Sequence, residues 1–231
     1  MVRCKEIAAA LGLAATVLAT TTVSAGSVQI RGRTLTLPMP QGYCEVDKTH
    51  VADLYILSNY AGNTRLRTVM VAVDCAELQE VRAEKRRTLR EYALVAVPEH
   101  TLQSDVEFTQ GEFDTYIYQQ NALFRTPLDR SSPKVAERLA ELQKKPKQRS
   151  DREVVGLTAK DSRSLYVGAV VQGPVRDSPQ YAELSVLSLS IVERKGMALS
   201  IYSRSTDAPT LFVLSDRLQQ WVADTHAANR R

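Results

Sequence analysis

The sequence predicts an α+β protein, a largely antiparallel sheet covered by helices, with a C-terminal helix packed on a strand meander. Three observations carry this. The stretch from Tyr181 to Arg204 is two long apolar β-type runs joined by Glu193-Arg194-Lys195-Gly196, charges and a glycine where a hairpin must reverse. Directly after it, Asp207-Ala208-Pro209 opens a helix whose Leu211, Leu214, Leu218, Trp221, Val222 and Thr225 fall on one side, the stripe that covers a sheet. The order of elements, mixed at first and then a run of strands closed by a helix, is that of an α+β domain.

The first 25 residues have the three parts of a secretory signal: Arg3 and Lys5, an uncharged run from Ile7 to Thr22, and the small-x-small pattern Val23-Ser24-Ala25. Cleavage after Ala25 is expected, leaving residues 26–231 as a single α+β domain that is periplasmic or secreted. The Ala- and Thr-rich run falls short of the ~20 strongly apolar residues of a spanning helix, and no later stretch reaches that length. No transmembrane segment is therefore expected after cleavage. There is no twin-Arg pair before the run, and Cys4 precedes it, so neither a twin-arginine signal nor a lipid-modified cysteine is indicated. Loss of Arg3, Lys5 and Glu6 with the leader leaves 28 basic and 25 acidic residues, a net charge of +3. That is far below the density of a nucleic-acid binder. Two cysteines remain, Cys44 and Cys75, in a compartment that oxidises thiols, and a disulfide between them is expected.

In chain order, residues 26–40 read as a hairpin: Val28 and Ile30, a turn at Arg31-Gly32, then Leu35 and Leu37, stopped by Pro38 and Pro40. A helix follows from about Thr49 to Ala61, with Asp47 or Thr49 as N-cap, Val51, Leu54, Tyr55 and Ser58 on one face, and Gly62 at its end. From Thr64 the pattern becomes a strand that turns wholly apolar between Val69 and Val73 as it enters a core. Asp74-Cys75-Ala76-Glu77 has capping-box spacing and starts a helix expected to reach about Arg87. A strand from Tyr92 to Val97, ended by Pro98, completes a strand-helix-strand unit. Ser104 begins another capping box, and Phe113, Tyr116, Ile117, Gln120, Leu123 and Phe124 follow at helical spacing, with Gly111 a weak point. Ser132 caps a third amphipathic helix with Pro133 at its first position and Val135, Leu139 and Leu142 on one face. The basic stretch 144–152 is linker-like. Strands are then expected over Glu153–Ala159 and Leu165–Val171, before the hairpin, whose first strand is apolar on both faces and so central.

The segment LTLPMPQGYCEVD (Leu35–Asp47), followed by a helix, a strand and VDCAEL (Val73–Leu78), resembles small exported bacterial proteins of unknown function. The meander leading through IYSRSTDAPTLFVLSDRLQQWVADTHAAN (Ile201–Asn229) is similar in element order to the PsbP/Mog1-like α/β/α sandwich. Both resemblances bear on fold, and neither implies catalytic residues.

No catalytic, metal or cofactor constellation is expected. Cys44 and Cys75 lie 31 positions apart, whereas a redox motif would hold them two residues apart; a free Cys75 would be activated by its helix N-terminus. His50, His100 and His226 fall in different elements without zinc-site spacing. Ser104, Asp105, Asp207, Asp216 and His226 supply the types of a hydrolase triad. Yet no Gly-x-Ser-x-Gly elbow exists, and Ser104 is accounted for as a cap. The carboxylate pairs Asp105 with Glu107 and Glu112 with Asp114 sit where acidic residues complement helix dipoles. Gly168, Gly173 and Gly196 form no phosphate-cradling loop. The chain is thus read as a periplasmic binding or accessory protein of the cell envelope, with an envelope hydrolase assembled only in the fold as the alternative. Partners are read from two basic clusters, Lys85, Arg86, Arg87 and Arg90 with Lys144, Lys145, Lys147, Arg149 and Arg152. If the fold brings them together they create a local positive field suited to an anionic envelope surface or an acidic protein.

Overall fold

The computed structural model describes residues 25–60, 66–103, 107–109, 111–112, 115, 126–144, 152–173 and 181–230. Strands β1 (Ala25–Ile30) and β2 (Arg33–Pro38) form a separate hairpin. Its turn residues Arg31 and Gly32 both have positive φ, 44° and 74°, the backbone that a two-residue hairpin turn demands. Seven further strands share one sheet: β3 (Tyr43–Glu45), β4 (Leu66–Asp74), β5 (Glu91–Pro98), β6 (Arg152–Lys160), β7 (Ser164–Gly173), β8 (Tyr181–Val192) and β9 (Lys195–Ser203). Their order is β3-β4-β5-β9-β8-β7-β6, with every neighbouring pair antiparallel. The α+β class and the antiparallel sheet are therefore as the sequence predicts. β8 lies inside the sheet, between β7 and β9, as a strand apolar on both faces must.

Helices α1 (Val51–Asn59), α2 (Cys75–Arg82), α3 (Glu99–Gln103), α4 (Pro133–Lys144) and α5 (Ala208–Ala228) complete the described elements. One face of the sheet is covered by α5, α4 and the β1-β2 hairpin. In α5, Asp207 caps the N-terminus by accepting from the Thr210 N–H at 2.7 Å, and Leu211, Leu214, Leu218, Trp221 and Val222 are all buried. Gly168 of β7 lets the helix approach closely, since a Cβ there would lie 2.6 Å from Leu211. The Trp221 indole N–H donates to the Pro38 carbonyl at 2.6 Å, and the Asn229 side chain exchanges hydrogen bonds with both backbone groups of Thr36. These bonds fasten the first hairpin to the last helix. The opposite face of the sheet is covered by α1 and α2 over Val71, Val73, Tyr92 and Tyr202.

Several local expectations are corrected. α1 begins at Val51 with His50 as its cap, because the His50 imidazole accepts from the Ala52 N–H. α2 ends at Arg82, where Ala83 is the C-cap and Glu84 turns to φ 58°, a conformation that terminates a helix. β4 and β5 are adjacent and antiparallel, so α2 and its loop are a returning connection and not a parallel crossover. The last hairpin turns on Glu193 and Arg194 alone, φ 47° and 65°, while Lys195 and Gly196 already pair with Val192 and Ile191. Most of the helix expected from Ser104 to Phe124 and most of the basic linker lie outside the described residues. Lys144, by contrast, is the last residue of α4, and Arg152 the first of β6.

Candidate functional site

The side of α1 that carries its regularly spaced apolar residues faces water. Val51 is 81% exposed, Tyr55 61% and Leu54 49%, whereas Asp53 and Ile56 are the buried positions of the helix. Among the described residues five large apolar side chains are exposed, and four of them, these three and Leu66, sit on α1 and at the start of the strand that follows it. Exposed apolar groups concentrated in this way mark contact surfaces, unlike singly scattered ones.

The reason α1 is oriented in this way is an ion pair. Asp53 is fully buried and accepts two hydrogen bonds from the Arg82 guanidinium, at 2.5 and 3.0 Å, and a third from the Asp47 N–H at 2.8 Å. Burial pushes the Asp53 carboxyl up, and the Arg82 and Asp47 bonds, with the Arg82 charge, more than reverse this and hold it below the ordinary aspartate value. Asp53 must therefore point inward at Arg82, which turns Val51, Leu54 and Tyr55 outward. Beneath lies a stack of three tyrosines: Tyr92 is parallel to Tyr202 at 4.6 Å and tilted against Tyr60 at 4.4 Å. The Tyr92 hydroxyl donates to the buried Glu183 at 2.6 Å; burial first, then its acidic and tyrosine neighbours, drives that phenol well above its usual pKa.

Beside α1 runs a groove of about 910 Å³. One wall is the edge of β4, from Arg67 to Val71; the other combines Cys44 to Lys48 with Leu57 and Tyr60 of α1. β3 pairs only with Ala72, Val73 and Asp74 of β4, and the Val46 N–H then closes on the Val71 carbonyl at 3.0 Å. From Arg67 to Met70 no strand lies on that side of β4 among the described residues, and a bulge at Thr68–Met70 twists this stretch. The Cys44–Cys75 disulfide, Cα atoms 4.9 Å apart, ties β3 to the first residue of α2 and fixes the end of the groove. Asp74 caps α2 through the Ala76 and Glu77 N–H groups, both at 3.0 Å, as its spacing predicts. In charge the groove is mixed. Arg67 and Lys48 have no acidic partner among the described residues, Glu45 is pushed up by burial and the nearby Asp47, and Asp47 is held down by bonds from Thr49.

No family model matches the chain, and no curated protein does either. Among solved structures, the 1.9 Å crystal structure of the Saccharomyces cerevisiae Ran-binding protein Mog1p is similar, at 12% identity over 87% of this chain and 94% of that one, with a TM-score of 0.35.

The other site residues fall as follows. Arg86 is paired with Glu80 at 2.5 Å and lies 3.5 Å from Glu77, and Arg90 reaches Glu77 at 3.3 Å. Lys85 and Arg87 are exposed, and Arg152 donates to the Tyr202 hydroxyl at 2.9 Å. Lys145, Lys147 and Arg149 lie outside the described residues. Strand register places Arg90 and Arg152, one residue from each basic cluster, at the same end of the sheet, at the starts of strands that have three others between them. The Arg204 N–H donates to the Arg90 carbonyl at 2.9 Å, and Arg152 pairs with Val171, which pairs with Glu183 on the next strand. Gln143, beside Lys144, donates to the Thr206 carbonyl at 2.8 Å at that same end.

His50 and His226 lie in separate parts of the fold. His50 caps α1, 3.8 Å from Asp53, and His226 lies in a second cavity of about 390 Å³ with Arg163, Arg230 and Glu193. Burial first, then the Arg163 charge, lowers His226, whose Nε2 is buried without a hydrogen-bond partner; no serine is among the described residues lining that cavity. Asp207 is a helix cap, Asp216 is clamped by Arg130, and Glu107 is paired with Arg33 and Arg194. Ser104 and Asp105 lie outside the described residues. Sequence reasoning missed the β4 edge and the outward face of α1. The one available signal was Asp53 beside the apolar positions of α1, an acid in a helix turn that needed a basic partner 29 positions away.

Proposed function

We propose that this is an exported binding or accessory protein of the cell envelope that takes an extended segment of a partner polypeptide along the open edge of β4. The observation that carries this reading is the stretch from Arg67 to Met70, which has no strand on the side away from β5 among the described residues and borders a groove of about 910 Å³ beside α1. Proteins normally shorten, cover or charge such an edge, because its free N–H and C=O groups pair readily with another chain. An added strand would draw affinity from those main-chain groups and selectivity from pockets for alternate side chains. Leu57, Tyr60 and Met70 would receive apolar side chains, and Arg67 and Lys48 an acidic one. The reading requires no chemistry of the groove. The rival reading, an envelope hydrolase, needs a nucleophile beside a histidine, and the described lining of the His226 cavity offers no serine. The basic end of the sheet offers a second contact, with an anionic envelope surface, motivated by the placement of Arg90, Lys144 and Arg152 at that end.

The test uses heptapeptides selected from a random library on the exported protein. Bound peptides are expected to protect amides within residues 67–70 from hydrogen exchange, and Val69→Pro, which removes a main-chain N–H from the bulged stretch, is expected to weaken binding at least tenfold. Protection confined to other strands, or binding indifferent to Val69→Pro in a folded variant, would remove the reading.

A further inference from the structure

Glu45 is a carboxylate in search of a cation. It lines the groove, remains exposed to water on one side, is raised by the burial of the rest of its side chain and by Asp47, and makes no ion pair among the described residues. Its neighbour is Gly26 of β1. A Cβ built on Gly26 would lie 3.3 and 3.4 Å from the two carboxylate oxygens of Glu45 and 3.4 Å from the Met70 sulfur, and the residue is buried. The Gly26 nitrogen is ~2.5 Å from that Cβ position by standard backbone geometry, so it lies within about 6 Å of the carboxylate as Glu45 is placed here. In the uncut chain this nitrogen is an amide and carries no charge. The secretory pattern Val23-Ser24-Ala25 predicts cleavage at the bond that converts it into an α-amine.

We propose that cleavage after Ala25 sets the α-ammonium of Gly26 against the Glu45 carboxylate, so that the new N-terminus becomes part of the groove. The chemistry is hydrolysis of the Ala25–Gly26 peptide bond by a signal peptidase: water adds, Ala25 leaves with the carboxylate, and Gly26 keeps the amine, which takes up a proton. The proposal rests on the export reading and adds to it the site that the new terminus occupies. An opposite charge within ~4–6 Å favours both charged forms. The pair therefore holds the start of β1 against β3, and it cancels one of the two groove carboxylates, Glu45 and Asp47, that oppose an acidic segment, leaving Arg67 and Lys48 to outweigh Asp47. Cleavage has to fall at this bond. Each residue of a strand advances ~3.4 Å, so a terminus one residue earlier or later would carry its charge away from Glu45.

The experiment takes mature protein recovered after export and reads the Gly26 α-amine twice, by NMR titration and by its rate of acylation at pH 8. The expected α-amine pKa is at least one unit above the ordinary ~7.7–8.0, with acylation about tenfold slower than in Glu45→Gln. The titration of the unmodified protein needs no variant, so a failure of Glu45→Gln to fold would not spare the proposal. An ordinary pKa in wild type, or equal acylation rates, overturns the ion pair while leaving export intact. A mature terminus other than Gly26, read by mass spectrometry, overturns the export reading in its present form and the ion pair with it.

Discussion

Asp53 decides more of this molecule than its position in an apolar-patterned helix suggests. Its carboxylate is completely buried, and the Arg82 fork and the Asp47 N–H are what make that burial tolerable. Removing the charge by Asp53→Asn leaves Arg82 facing a neutral partner and is expected to cost about 3 kcal/mol in chemical denaturation. The pH dependence follows from the depressed pKa. A carboxyl lower in the folded than in the unfolded chain contributes stability that is complete above its unfolded value, ~3.9, and is lost as pH falls through the folded value. Wild type is therefore expected to lose more stability than Asp53→Asn on acidification below about pH 4. Parallel curves for the two proteins would mean that the pair is not coupled to folding. Leu218 is the apolar counterpart: fully buried on α5 against the sheet, it is expected to cost about 2 to 5 kcal/mol on replacement by Ala, checked by the same denaturation experiment. A change within about 0.5 kcal/mol would place it at the surface.

At the scale of elements, β8, β9 and α5 were legible because each long apolar run had one physical solution: a strand apolar on both faces goes inside a sheet, and a helix with one stripe covers it. The capping residues Asp74 and Asp207 were legible for the same reason, since their carboxylates act on N–H groups two or three positions away. α1 was not. Its apolar residues have the spacing of a buried stripe, and the choice of which side goes inward was made by an acid whose partner belongs to another helix. Nor did any local pattern reveal that β5 would pair with β9 about a hundred residues later, or that β3 would stop short and leave β4 open. An open edge is a property of what the neighbouring strand fails to cover.

For the whole molecule, net charge conceals the arrangement. Among the described members of the two basic clusters, Arg90, Lys144 and Arg152 lie at one end of the sheet through strand order, which composition does not register. Part of their charge is answered by Glu77 and Glu80, so the field rests on the exposed Lys85 and Arg87 and on the Lys144 and Arg152 side. Binding to vesicles containing anionic lipid is expected to weaken steeply between low and physiological salt, as screening shortens the reach of exposed charges to ~8 Å. It is also expected to fall when Arg86, Arg87, Lys144 and Lys145 are made neutral. Absence of binding at low salt would leave the clusters as solvating charge.

The central claim, that the groove between α1 and the β4 edge is the working surface, is tested most directly by photo-crosslinking in living cells that make the protein. A photoreactive residue is placed at Tyr55 or Thr68 on the proposed surface, and at Val213 or Asp216 on the exposed side of α5 as controls. The account predicts one discrete crosslinked product, shared by the Tyr55 and Thr68 positions, absent from the α5 positions, and lost on Val69→Pro. Crosslinks that appear only from α5, or equally from all four positions, would contradict it.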